Sequence, residues 1–216
     1  MPGSRSALLI VDVQNDFCPG GALPAPGGDR VVPSLNRYIA QAIESGMLVY
    51  ASRDWHPPIT SHFKAYGGLW PPHCVQGTAG ADFHPSLKLP RGTIVVTKGE
   101  DPAREGYSSF DGRTADGQSL AVDLHEHQIE TVYIGGLTTE YCVKQTALDA
   151  IREGFVVRVL ADAIAGIEAH PGDSERALAE VSAAGAQVAR GLPHARPTDV
   201  KTLRSRSRDR RTRRAG

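Results

Sequence analysis

At 216 residues, 40% of them apolar and 22% charged, the chain has ordinary globular composition and enough length to bury a full core. That composition excludes a disordered chain. No opening apolar run is long enough for a signal h-region or a membrane span, because Ala7–Val11 is cut short by Asp12. The net charge of zero hides an asymmetry: residues 201–216, KTLRSRSRDRRTRRAG, hold eight Lys/Arg against one Asp, or +7, which leaves −7 on residues 1–200.

These features lead us to expect a soluble, cytoplasmic protein made of one domain, residues 1–195, followed by a basic tail, residues 196–216. The tail is expected to be disordered, offering nucleic acid or an anionic surface no more than non-specific contact. Cys18, Cys74 and Cys142 are odd in number and far apart, so free thiols are expected rather than a disulfide framework.

In chain order, β-branched apolar runs alternate with helical periodicity. The first strand, Ala7–Val13, carries Asp12 inside its apolar run, where an unpaired carboxylate is costly to bury. That residue either caps a following loop or helix, or has its pKa raised by burial and serves as a general base. A helix over Pro33–Ser45 follows, with Leu35, Ile39, Ala42 and Ile43 on one face, and then a strand, Met47–Ser52.

The stretch 54–92 breaks the alternation with a long loop rich in Pro, Gly, aromatic residues and His, and such a loop in a compact domain usually carries function. In SRDWHPPITSHFKAYGGLWPPHC, one carboxylate, Asp54, and three imidazoles, His56, His62 and His73, suit a divalent ion such as Zn, Fe or Mn. Asp54 and His56, two apart in extended chain, share one face. Prolines at 57, 58, 71 and 72 stiffen the loop. The alternative is a solvated, His-rich loop. His84, His125, His127, His170 and His194 lack a suitably spaced carboxylate and read as surface residues.

Next comes a strand, Thr93–Thr97, with Lys98 directly after it, either the first solvated residue or an amine aimed at a site. A helix over Gln118–His127 leads to the strand Thr131–Gly135 and a helix over 140–153, near whose start lies Cys142. That cysteine is either buried filler or a thiol whose pKa the helix N-terminus lowers. The strand Phe155–Ala161, a helix over Ser174–Ala184 and the strand Ala186–Ala189 complete the pattern.

Alternation with short links specifies an α/β fold: a parallel sheet with helices on both faces. Ligands of such sheets bind outside the carboxyl ends of the strands. Asp12, Lys98 and Cys142 then stand at three such ends as a base, an amine and a nucleophile, which suits acyl transfer.

The segments LIVDVQNDFCPGGAL, RDWHPP…SHF, WPPHCVQGTAGADFHPSL, TKG and GGLTTEYCVKQTALDA resemble, in order and spacing over about residues 7–190, the nicotinamidase/pyrazinamidase branch of the isochorismatase-like cysteine hydrolases. The resemblance implies a six-stranded parallel, Rossmann-like sheet and hydrolysis of nicotinamide to nicotinate and ammonia, a step of NAD salvage, with pyrazinamide as a further substrate. It makes Asp12, Lys98 and Cys142 the catalytic triad, the backbone N–H groups of Thr138 and Cys142 the oxyanion hole, and the Leu137–Thr138 bond cis. Asp54, His56 and His73 become ligands of one divalent ion, and His62 falls where the mycobacterial type places a fourth. Phe17, Trp70 and Tyr107, aromatic and near these loops, are candidates for packing the substrate ring.

The chain departs from the branch at Thr138, where a small alanine is usual, at Glu140–Tyr141 before the cysteine, and in the longer EDPAREGYSSF loop. These bear on pocket shape. Isochorismatases proper and carbamoylsarcosine-type amidases are rivals that lack the metal loop. A silent binding module that uses the tail for nucleic acid is a rival of another class. The sequence leaves a homo-oligomer open.

Overall fold

The computed structural model describes residues 5–192; the tail 196–216 and His194 lie outside the described residues. Six strands form one parallel sheet: β1 (Ser6–Val11), β2 (Leu48–Asp54), β3 (Ile94–Lys98), β4 (Thr131–Leu137), β5 (Val156–Ala165) and β6 (Gln187–Ala189). Their order is β3-β2-β1-β4-β5-β6. The order reverses between β1 and β4, and at that switch point the strand ends open a crevice.

Alternation along β1 assigns its side chains to two cores. Leu8 and Ile10 join one apolar cluster, and Ala7, Leu9 and Val11 the other. Helix α1 (Val31–Glu44) covers the first face with Val31, Leu35, Tyr38, Ile39 and Ala42, an apolar stripe at helical spacing. The opposite face is covered by α2 (Leu120–Glu126), α3 (Lys144–Arg152) and α4 (Asp173–Ala183), through Leu120, Leu124, Ala147, Ala150 and Val181. Leu35 has no exposed surface, so truncating it to Ala costs about 2–5 kcal/mol. The β2–β3 crossover has no long helix. The Pro-rich loop makes it with short 3₁₀ turns, and its Cys74, Ala81 and Leu87 pack into the first core.

Several boundaries differ from the sequence expectation, and three of them bear directly on the crevice. First, β2 runs to Asp54 rather than Ser52, because pairing with β3 continues through Asp54↔Lys98. Second, β1 stops at Val11, and Asp12 turns out of it with φ 47°. That left-handed conformation costs a non-glycine residue about 1 kcal/mol. Third, the expected helix over 140–153 is two pieces, a π turn, Thr139–Val143, followed by α3. Thr138 O accepts from both Tyr141 N and Val143 N, at 3.2 and 3.1 Å, which widens the first turn. In addition β5 extends to Ala165 instead of Ala161, with a register shift against β4 between Ile134 and Gly136.

Candidate active site

Asp12, Lys98 and Cys142 converge in the crevice. Lys98 Nζ lies 2.8 Å from Asp12 Oδ2, donates to Cys142 Sγ at 3.6 Å and to Gly106 O at 3.1 Å, and forms a short ion pair with Asp54 Oδ1. All four side chains are buried, with Lys98 1% and Cys142 4% exposed. Lys98 is therefore not the solvated end of a strand: β3 delivers it between two carboxylates and a thiol. At the switch point β4 approaches β1 so closely that a Cβ on Gly136 would lie 2.0 Å from Val11 O. Only glycine fits there, also because its φ is 132°.

Burial opposes the charge on Lys98, but Asp12 and Asp54 outweigh it and push the ammonium pKa well above the lysine value. Burial also raises the Asp12 carboxyl, with Lys98 pulling against it. The expectation of a thiol acidified by a helix end is corrected here. Burial pushes the Cys142 thiol well above its usual range, despite the Lys98 ammonium, and the sulfur sits in the π turn rather than at the first α-helical turn. A thiol in this setting needs a base beside it. One oxygen each of Asp12 and Asp54 and Cys142 Sγ all lie within 4.8 Å of one another.

The three loop histidines cluster beside this group. One ring nitrogen each from His56, His62 and His73 lies within 4.8 Å of the others, and Asp54 Oδ2 is 3.7 Å from His56 Nε2. All four residues are buried, which excludes the solvated loop. The donor set fits a divalent cation. His56 Nδ1 is 3.1 Å from Gly99 O and His73 Nδ1 is 2.8 Å from Pro71 O. A carbonyl only accepts, so these nitrogens carry the protons and leave each Nε2 lone pair available. His56 Nε2 is buried without a hydrogen-bond partner. Burial and the neighbouring histidines hold His62 down to about 3, and burial lowers His73, so both rings are neutral as ligation requires. Burial would raise Asp54, yet Lys98 and the imidazoles keep it well below the usual carboxylate range.

A small pocket above Cys142 is lined by Phe17, Leu23, Asp54, His62, Trp70, His73, Tyr107, Thr138, Tyr141 and Ile167. All three aromatic candidates therefore stand in its wall. Trp70 Nε1 donates to Tyr107 Oη at 2.9 Å, and Phe17 packs on His73 with ring centres 5.5 Å apart. Thr138 shares the wall with Cys142, and the Leu137–Thr138 peptide is cis.

Sequence reading missed Leu23 and Ile167, and it named Tyr141 only as a departure bearing on pocket shape. Tyr141 meets Trp70 edge-on at 4.9 Å, whereas its neighbour Glu140 turns inward to accept from Glu168 N at 2.7 Å. Gln14 was also missed. Its Nε2 donates to Asp54 O and Ala81 O, and its Oε1 accepts from Asp54 N, each at 2.8 Å, fixing the backbone of the carboxylate that faces the imidazoles. A glutamine next to a strand's last apolar residue was the one signal available. Of the other histidines, His125 stacks on Phe155 at the surface and His170 is exposed.

Residues 6–191 match the isochorismatase domain family. The chain is 42% identical over 198 residues to the nicotinamidase of Escherichia coli, covering 84% of this chain and 93% of that protein. It is 43% identical over 166 residues to the nicotinamidase/pyrazinamidase of Mycobacterium tuberculosis, covering 76% and 88%. Among solved structures it is similar to the pyrazinamidase of Pyrococcus horikoshii in complex with zinc, with a TM-score of 0.80 and 45% identity over 87% of this chain and all of that one. Sheet order, buried site and the extent of these matches agree, and the chain belongs to the isochorismatase family, in its nicotinamidase/pyrazinamidase branch.

Proposed function

We propose that this enzyme is a nicotinamidase, a metal-assisted cysteine amidohydrolase that converts nicotinamide to nicotinate and ammonia and also hydrolyses pyrazinamide. One observation carries the reading: a buried ammonium, Lys98, touches both a carboxylate, Asp12, and a sulfur, Cys142, beneath an aromatic pocket. The chemistry belongs to residues 1–195, and the basic tail has no part in it.

Asp12 takes the thiol proton of Cys142 and becomes neutral, and the Lys98 ammonium stabilises the thiolate so formed. The thiolate attacks the carboxamide carbon, and the backbone N–H groups of Thr138 and Cys142 receive the oxyanion. Asp12 returns the proton to the leaving nitrogen, which departs as ammonia and leaves a thioester on Cys142. Water, deprotonated by Asp12, opens that thioester, releasing nicotinate and restoring the thiol. Asp54, His56, His62 and His73 are the residues to hold one divalent ion, which when bound supplies an anchor for the pyridine nitrogen. Phe17, Trp70, Tyr107 and Tyr141 pack the ring so that its amide faces the sulfur. On this reading the enzyme acts in nicotinamide salvage, with the cytoplasm as its proposed compartment.

The test is ammonia release from nicotinamide and pyrazinamide by the purified chain, paired with elemental analysis. Turnover with about one bound metal ion per chain supports the reading; no release from either amide overturns it.

A further inference from the structure

Asp12 is gripped from two sides. While Oδ2 faces Lys98, Oδ1 accepts from Ser52 Oγ at 2.7 Å. Ser52 Oγ accepts from Ser109 Oγ at 2.9 Å, and Ser109 Oγ from Thr146 Oγ1 at 3.1 Å. Thr146 Oγ1 accepts in turn from the backbone N–H of Ser109 at 2.9 Å. Ser52, Ser109 and Thr146 have no exposed surface.

The direction of this chain is set at both ends. A hydroxyl has one proton to give, an ionised carboxylate only accepts, and a backbone N–H only donates. Every proton therefore points toward Asp12, and bonds aligned in one direction polarise one another in a low-dielectric interior. The chain also crosses the fold. It runs from the end of β1, through β2 and the 3₁₀ turn Ser109–Asp111, to α3, where Thr146 lies four residues beyond Cys142.

We propose that Ser52, Ser109 and Thr146 are positioning residues for the amide hydrolysis: a one-way hydroxyl chain that keeps Oδ1 of Asp12 a permanent acceptor, so that Oδ2 alone exchanges the proton with Cys142 and the leaving nitrogen. The chain orients the carboxylate and ties it to the helix that follows the nucleophile. This inference rests on Asp12 acting as the base.

The test uses the full-length enzyme and steady-state ammonia release from nicotinamide. Thr146→Val keeps the side-chain shape and removes the hydroxyl. Thr146→Ser keeps the hydroxyl and loses a buried methyl. A packing role makes Ser the harsher change, and the hydroxyl chain makes Val the harsher one. The expected result is that kcat falls about fivefold or more in Thr146→Val, with KM and metal content within about twofold of the parent, while Thr146→Ser retains most of kcat despite a lower Tm. Ser109→Ala, which keeps its backbone N–H bond to Thr146, should match Thr146→Val, and the double variant should fall no further. Unchanged kcat in Thr146→Val, equal losses in Val and Ser, or additive losses in the double variant overturn the chain and leave the amidase reading standing. A parent enzyme that releases no ammonia overturns both.

Discussion

Asp54 and Lys98 are register partners across β2 and β3, and their side chains form an ion pair at that point. The same carboxylate thus faces the imidazole cluster through one oxygen and neutralises the candidate catalytic ammonium through the other. Hydrogen bonding between two adjacent strands sets the spacing of both functions.

Lys98→Met tests that arrangement. Without the ammonium, Asp12 and Asp54 are left as buried, uncompensated carboxylates, a loss of about 3–5 kcal/mol. Urea unfolding monitored by circular dichroism should report this, together with loss of ammonia release. Parental stability in the variant would mean that one of the two carboxylates is already neutral.

Cys142→Ala should leave circular dichroism and metal content unchanged while ammonia release falls by on the order of 10⁴-fold or more. Turnover close to the parental rate would rule out covalent catalysis.

Loss of a ligand should show first in elemental analysis. His56→Ala removes the imidazole whose Nε2 is buried without a partner, and it should abolish stoichiometric metal and raise KM for nicotinamide. His62→Ala, measured alongside, decides whether this fourth residue ligates; parental metal affinity would remove it from the set.

Tyr107→Phe deprives Trp70 Nε1 of its acceptor in the pocket wall. A neutral hydrogen bond contributes about 1 kcal/mol, so KM should rise roughly fivefold with kcat nearly constant. A fall in kcat at constant KM would instead place Tyr107 in the chemistry.

The first turn of α4 offers a pH test that uses none of the proposed catalytic or metal-holding residues. Asp173 is held below its usual pKa, first by the backbone N–H of His170 and then by Arg176. A folded pKa below the unfolded one contributes stability above the unfolded value, about 3.9, which is lost as pH falls through the folded value. The Tm gap between parent and Asp173→Asn should therefore be present at pH 7 and close below about pH 4. A gap that persists in acid would show that the effect is not electrostatic.

Much of this was legible because its signals are local. Asp12 and Lys98 interrupt or follow apolar runs, and a polar group at such a place must have a partner nearby. Asp54, His56, His62 and His73 converge because the long loop that carries the histidines is proline-stiffened and anchored to the first core through Cys74, Ala81 and Leu87. What was not legible depends on distant contacts. Ser52, Ser109 and Thr146 read as ordinary strand, turn and helix residues, and only the fold joins them. Tyr141 enters the pocket wall and Glu140 leaves it because the turn is a π turn, for which no residue pattern was available. The thiol pKa was misjudged because it follows from depth of burial, which a helix start does not encode.

The triad and the imidazole cluster stand at the carboxyl end of the sheet, and the connections entering its amino end, such as Ser45–Met47 and Glu153–Phe155, contribute none of these groups. The framework thus separates a working rim from a plain one. Short peptide insertions or a fused reporter at the plain rim should be absorbed without altering turnover. The same partition lets wall residues such as Tyr141 be exchanged to admit other small amides while the strand-borne groups remain as they are.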